Sequence, residues 1–539
     1  MTKSPEPTLK TKRKLANEVT DEPPKRDLPP TKLRKEIKQK MNQLGENIVP
    51  VKDGEYFARL PKEGSENLAV SGRDIYPTIL PSLRQTSIAP TKQGLRGRSN
   101  LCPRCTSIAL DTLLSRPHKT KAGQAAKNLS SVPNWEIDSC ALCSLMSSTM
   151  ELRYWTPERK VPLRTYSSNK MEDHAWKSIN TNLLKAGHSS RYIVSQPEGI
   201  EGPVKIIKDR IDETNFETVK NWISLCQDKH IKICSVENPS FIPGLKLIDC
   251  ITGDIIMLED KPYLALSYVW GSSSEIPENP NKLPEAIPNT IEDAIMVVKK
   301  LGYRYLWVDR YCINQGNEEE KADQCGKMDI IYQNADLTII AAIGDDPTYG
   351  LPGVSLRKRK PKHLTTCSKI GKHFLISTEA WPKEAVKGTK WKTRAWTYQE
   401  ALLSRRRLLF TEEQMYFECY GMYCGESVHF PLQAMHRKDM QGFKRDFCSE
   451  EDLVGVFPKG VGNKSVEIVR RIEEYSELNL TNPSDILRAM LGIFNAFRRN
   501  NLGIEHCLGI PILPLMKKVL SRLMDGHRPW DSSLGYFGT

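Results

Sequence analysis

The stretch RYLWVDRYCINQ, Arg304–Gln315, decides how this chain folds. Tyr305–Val308 is short, apolar and unbroken, the pattern of a strand covered on both faces. It runs directly into Asp309, Arg310, Tyr311 and Cys312, and then into the amide pair Asn314-Gln315. A buried strand that ends in so many polar groups marks a sheet edge where something is bound or held.

The neighbouring sequence repeats the pattern. YLALSYVWG, from Tyr263, is an apolar and aromatic strand stopped by Gly271. In TIEDAIMVVKKLG, the residues Ile291, Ala294, Ile295, Val298 and Leu301 share one helical face. Thr290 with Asp293 reads as a capping-box start to that helix, and Gly302 as its stop. NEEEKADQCGKMDIIYQ is a second helix, capped by Asn317, with glutamates at the positive end of its dipole. LTIIAA, Leu337–Ala342, is a third strand. The order β-α-β-α-β with continuous apolar strands predicts a parallel sheet with helices on both faces. Right-handed crossovers then bring the strand C-terminal ends to one edge, and ligands bind outside it. Gly271, Asp309 and Gly344-Asp345-Asp346 fall there.

On either side the pattern changes. Val219, Trp222, Ile223 and Cys226 in TVKNWISLCQDKH share a helical face, and LKLIDCITGDIIML reads as a hairpin turning at Thr252-Gly253-Asp254. WKTRAWTYQEALLSRRRLLF is a helix feeding a strand. Ser484 is expected to cap the strongly periodic DILRAMLGIFNAFRR. Four regions follow: a basic tail and linker over 1–95, a mixed region with two CxxC pairs over 96–240, the α/β core over 241–425, and a mainly helical region over 426–539.

The chain has 539 residues, 39% hydrophobic and 27% charged. No apolar run approaches the roughly 20 residues of a membrane span. MTKSPEPTLKTKRK has no apolar segment of the secretory kind. The fourteen cysteines are then expected to be reduced thiols or metal ligands in an intracellular, cytoplasmic protein. Residues 1–50 hold 12 Lys/Arg against 7 Asp/Glu, a local charge of +5 out of a total of +13. Lys10–Lys14 and Lys25–Arg26 read as a solvating tail or a nuclear-import signal. A second basic run, Arg357–His363, reads as a surface loop. Neither is interleaved with aromatics, so nucleic acid is not an expected partner.

Cys102-Pro-Arg-Cys105 and Cys140-Ala-Leu-Cys143 each present two sulfurs from one turn. Together they make either a tetrahedral zinc site or two pairs of ordinary buried thiols, since their spacing exceeds that of a zinc ribbon. His118 between them is a spare ligand or a surface histidine.

YLALSYVWG, IPNTIEDAI, LGYRYLWVDRYCINQGNEEEKADQCGKMDIIYQNADLTIIAA, GLPGV and TRAWTYQEALLSRRRLLF together resemble the heterokaryon-incompatibility (HET) domain of filamentous fungi, over about residues 263–410. YSELNLTNPSDILRAMLGIFNAF is similar to the helical segment that commonly follows that domain, and the CxxC pairs resemble a feature found before it. Cys325-Gly326 depart from the family's apolar pair inside the second helix. The resemblance implies an effector of non-self recognition that triggers programmed cell death, through self-association or another incompatibility protein. HET domains are in turn remotely similar to Toll/interleukin-receptor (TIR) domains, which implies a TIR-like, flavodoxin-like core. It also implies NAD as a substrate, cleaved by a glutamate that follows a tryptophan by four residues. Trp396 and Glu400 in WTYQE have that spacing. On this basis Glu400 is the catalytic candidate, and Asp309, Gln315, Gly271 and Trp396 are cofactor-binding candidates.

Each assignment has a plainer counterpart. Glu400 pairs with Arg394 or Arg405. Asp309 orders its own loop by accepting N–H bonds. Cys312, with no histidine near it in sequence, is a packed thiol rather than a nucleophile. At the level of function, the counterparts are a non-catalytic assembly module and a nuclear protein that binds nucleic acid through its tail.

Overall fold

The fold is that of a computed structural model, which describes residues 101–115, 124–129, 135–150, 161–167, 182–186, 191–196, 202–236, 241–257, 260–271, 279–361, 368–371, 373–444 and 455–514. The chain divides into two units, Met1–Thr91 and Lys92–Thr539, and every described residue lies in the second. The basic tail and linker, His118, the loop directly after Gly271, and Lys362 and His363 lie outside the described residues. No helix among the described residues is long and apolar enough to cross a membrane.

Eight strands form the principal sheet: β1 (Lys246–Asp249), β2 (Ile255–Met257), β3 (Tyr263–Ser267), β4 (Tyr305–Trp307), β5 (Leu337–Ala341), β6 (Arg406–Phe410), β7 (Met415–Cys419) and β8 (Tyr423–Gly425). Their order is β8-β7-β6-β5-β3-β4-β1-β2. β4, β3, β5 and β6 are parallel, with Ala265 opposite Trp307, Ser267 opposite Ile340, and Phe410 opposite Ala341. Every residue of β3, β5 and β6 is buried, which is why these strands read as unbroken apolar runs. The sheet as a whole is mixed, because a hairpin closes each side of the parallel centre. β1–β2 turns at Gly253 (φ +77°) and sets β1 antiparallel to β4, and β6–β7–β8 runs antiparallel on the other side.

In the parallel centre, the first strand in sequence (β3) lies between the second (β4) and the third (β5). The connections therefore change direction between β3 and β5, the switch point at which doubly wound sheets leave a crevice.

The helix Asn289–Lys300 packs on β3 and β4, and Glu213–Lys229 packs on β7, burying Val219, Trp222, Ile223 and Cys226 as expected. Thr290 and Asp293 do not cap their helix, whose N-cap is Pro288. They reach across to the GLPGV turn, where Gly350 N–H donates to Thr290 Oγ1 (3.1 Å) and Leu351 N–H to Asp293 Oδ2 (2.7 Å). The expected second helix is two helices, Glu318–Gly326 and Met328–Asn334, broken just after the Cys325-Gly326 departure. Asn317 caps the first, accepting from the N–H groups of Glu319 and Glu320 (3.1 Å each).

Met328–Asn334, Ala395–Leu403 and Arg488–Arg499 pack against one another. Gly492 makes this possible, since a Cβ there would lie 2.6 Å from Asp329 Cβ and 2.6 Å from Gln399 Oε1. Asn482, not Ser484, caps the short turn Pro483–Asp485 that precedes the last of these helices.

A second sheet of six antiparallel strands has the order Gln124–Leu129, Val161–Ser167, Asn182–Ala186, Ile193–Gln196, His373–Ser377, Ser368–Ile370. The helix Ala141–Thr149 covers it with Leu142, Leu145 and Met146. Strand pairing thus crosses the boundary expected at residue 240, joining Ile193–Gln196 to His373–Ser377.

Candidate functional site at the rim of the parallel strands

Ser267 ends β3, Asp309 follows β4, and Glu400 lies on the helix that leads into β6. The fold places these in two hydrogen-bonded groups at the switch point, one around Glu400 and one around Asp309, and the charge of Asp309 acts on Glu400. Trp391 Nε1–H donates to Ser267 Oγ (2.8 Å), and Ser267 Oγ–H donates to Glu400 Oε2. Trp270 Nε1–H donates to Asp309 Oδ2 (2.6 Å) and Arg310 N–H to Asp309 Oδ1 (2.8 Å). The Arg310 guanidinium covers the Trp270 ring at 5.3 Å.

Glu400 is 4% exposed. Burial, reinforced by the charge of Asp309, raises its carboxyl to about 7, against the opposing pull of the Ser267 hydrogen bond, Arg394 and Tyr332. Burial likewise raises Asp309 to about 6, against the Trp270 and Arg310 hydrogen bonds. Burial thus raises both carboxyl groups, and the charge of Asp309 adds to the rise at Glu400. Neither arginine expected beside Glu400 bonds to it. Arg394 donates to Tyr268 O (2.9 Å) and Arg405 to the carbonyls of Gln333 (2.7 Å) and Cys234 (2.8 Å). The Tyr268 hydroxyl is buried with no hydrogen-bond partner among the described residues, and the charges of Asp309 and Glu400 act on it.

Gln315 Nε2–H donates to the carbonyls of Asp309 (3.1 Å) and Ile313 (3.3 Å), so its amide ties the loop down. Gly271 has φ +73°, and a Cβ there would lie 3.0 Å from Asp346 Cβ and from Pro347 Cδ, so glycine brings these two rim loops together. Trp396 is half-buried between the main core and the C-terminal one. Cys312 is a packed thiol, raised by burial to about 12 and accepting from Val308 N–H (3.3 Å). Ser267, Tyr268, Tyr332 and Trp391 were not among the sequence candidates, although Ser267 and Tyr268 stand in YLALSYVWG itself.

Two cavities lie elsewhere. One of about 760 Å³ is lined by Lys232, Arg405, Arg437, Lys459 and Arg499 among others, and one of about 460 Å³ by Tyr263, Asp336, Arg405 and Arg406 among others. Glu400 and Asp309 line neither.

Two buried clusters could hold a metal ion. In the first, Cys102, Cys105, Cys140 and Cys143 converge, with Cys102 and Cys105 sulfurs 3.7 and 3.5 Å from that of Cys143. Zn–S bonds of about 2.3 Å give a tetrahedral edge of about 3.8 Å, close to these separations. Arg104 Nη2–H donates to Cys143 Sγ (3.5 Å). The second cluster, Cys226, His230, Cys234 and Cys419, went unseen in the sequence. Its legible trace was the 226/230/234 spacing, and the structure places Cys226 on the helix Glu213–Lys229, His230 at its C-cap and Cys234 on the short helix Ile231–Cys234.

Residues 263–400 match the family model described as Heterokaryon incompatibility protein (HET), and these residues are a HET domain. The chain is 31% identical to Heterokaryon incompatibility protein 6, OR allele, of Neurospora crassa, in a match covering 14% of this chain and 14% of that protein. No solved structure matches.

Proposed function

We propose that this chain is an effector of fungal non-self recognition whose HET domain triggers programmed cell death, activated by self-association or by another incompatibility protein. The observation that supports the reading is that Ser267 with Glu400, and Trp270 with Asp309, bond in pairs at the switch point, and that the charge of Asp309 acts on Glu400. In this arrangement Glu400 is the reactive carboxylate of an NAD-cleaving centre. An ionised Glu400 stabilises the positive charge that develops on the ribose as its bond to nicotinamide breaks. Asp309 tunes Glu400, and the orphaned Tyr268 hydroxyl supplies a hydrogen bond to the bound sugar. The Cys102/Cys105/Cys140/Cys143 cluster holds a structural zinc that stabilises the smaller sheet.

The burial of Glu400 favours a second reading, in which its hydrogen-bonded group is a closed structural latch and the domain kills by assembly. NAD followed by mass spectrometry in purified protein, clustered on a scaffold, separates the two. Loss of NAD with wild type and not with Glu400→Gln supports the hydrolase. No loss with clustered wild type rejects it and leaves the assembly reading.

A further inference from the structure

We infer that Cys226, His230, Cys234 and Cys419 hold a second zinc ion, which clips the helix preceding the HET domain onto strand β7. All four ligand atoms lie within 4.8 Å of one another and all four residues are buried. Three sulfurs with one imidazole nitrogen is a zinc donor set.

The surroundings orient the histidine as a ligand. Leu432 O lies 2.6 Å from His436 Nδ1, and a carbonyl can only accept, so His436 Nδ1 carries the proton. In a neutral His436 ring Nε2 is then an acceptor, and His230 Nε2, 2.9 Å away, is its donor. That leaves the lone pair of His230 Nδ1 facing the sulfurs, 3.3 Å from Cys419 Sγ. A carbonyl–histidine–histidine relay of this kind is what orients a metal-bound imidazole.

The sulfurs, for their part, are surrounded by donors. Gly421 N–H donates to Cys419 Sγ (3.4 Å), and Arg406 Nε–H to Cys226 Sγ (3.1 Å). Arg406 is buried, and its other hydrogen bonds go to the carbonyls of Asp336 and Cys234. A buried guanidinium needs a compensating negative charge. Three thiolates around Zn²⁺ supply one net negative charge, held against it. Gly421 also leaves room, since a Cβ there would lie 2.7 Å from His230 Nδ1.

The test is zinc per chain in full-length protein purified without chelators, by mass spectrometry, in wild type and in Cys140→Ser/Cys143→Ser. The double variant removes the first cluster and is expected to retain one zinc. That zinc is expected to survive His230→Cys, which replaces one ligand by another, and to disappear with Cys226→Ser/Cys419→Ser. His436→Phe, which removes the acceptor for His230, is expected to weaken zinc retention against a chelator by about 10- to 100-fold. A folded Cys140→Ser/Cys143→Ser protein without zinc overturns the inference, as does zinc retention indifferent to His436→Phe.

Discussion

Nδ1 of His230 lies 3.3 Å from Sγ of Cys419, across 189 residues of chain. The contact joins the end of a helix outside the family match to the end of β7, also outside it. The segment before the matched residues is therefore in contact with the segment after them. Gly421→Ala should push the imidazole away, because the new methyl would lie 2.7 Å from the ring. The expected result is faster zinc loss to a chelator and a lower Tm; unchanged zinc retention would contradict it.

Glu400 gives a pH signature. Its folded carboxyl sits at about 7, against an ordinary value of 4.5. Between these values the folded state keeps a proton that the unfolded state has lost. The stabilisation from this group is complete below 4.5 and falls as pH rises through 7, by about 3 kcal/mol. Glu400→Gln stays neutral and should gain stability relative to wild type across that window, measured by urea unfolding at pH 5 and pH 8.

Asp309→Asn should lower the apparent pKa of Glu400, because a neighbouring negative charge is the second largest cause of its rise. The window in which wild-type stability falls should move to lower pH. A window that stays in place would mean that the two carboxyl groups do not communicate.

Gly492 lies against Asp329 and Gln399 with no room for a side chain. Gly492→Val should destabilise by about 1–3 kcal/mol or more through overpacking. Denaturant midpoints, compared with Gly326→Ala, where a Cβ meets nothing, check this.

Arg359 and Glu426 form a buried ion pair (2.7 Å) with side chains 0% and 2% exposed. Glu426 also accepts from Asn215 Nδ2–H (2.8 Å), so the pair anchors the helix Glu213–Lys229. Arg359→Ala should cost about 3–5 kcal/mol in chemical denaturation, by stranding the carboxylate. The double variant Arg359→Met/Glu426→Gln should cost much less.

Local pattern carried most of the core. Unbroken apolar runs and helical spacing were enough for β3, β4, β5 and the helix Asn289–Lys300, but not for the break that splits the next helix after Gly326. Pattern could not reveal what a residue contacts far along the chain. Thr290 and Asp293 sit where a capping box belongs but bond a turn about 60 residues away. Arg359 stands in a basic run that reads as a solvated loop, yet its guanidinium is buried against Glu426. Glu400 was marked by its spacing from Trp396, whereas its partner Ser267 lies 133 residues upstream. The second cysteine cluster stayed hidden for the same reason, since Cys419 joins it only once β7 is in place.

The most direct measurement is the survival of fungal cells after induced expression of the full-length chain, wild type beside Glu400→Gln, at matched protein levels. The expected result is death with wild type and survival with Glu400→Gln. Equal killing by both would contradict a role for the Glu400–Ser267 network in the death response.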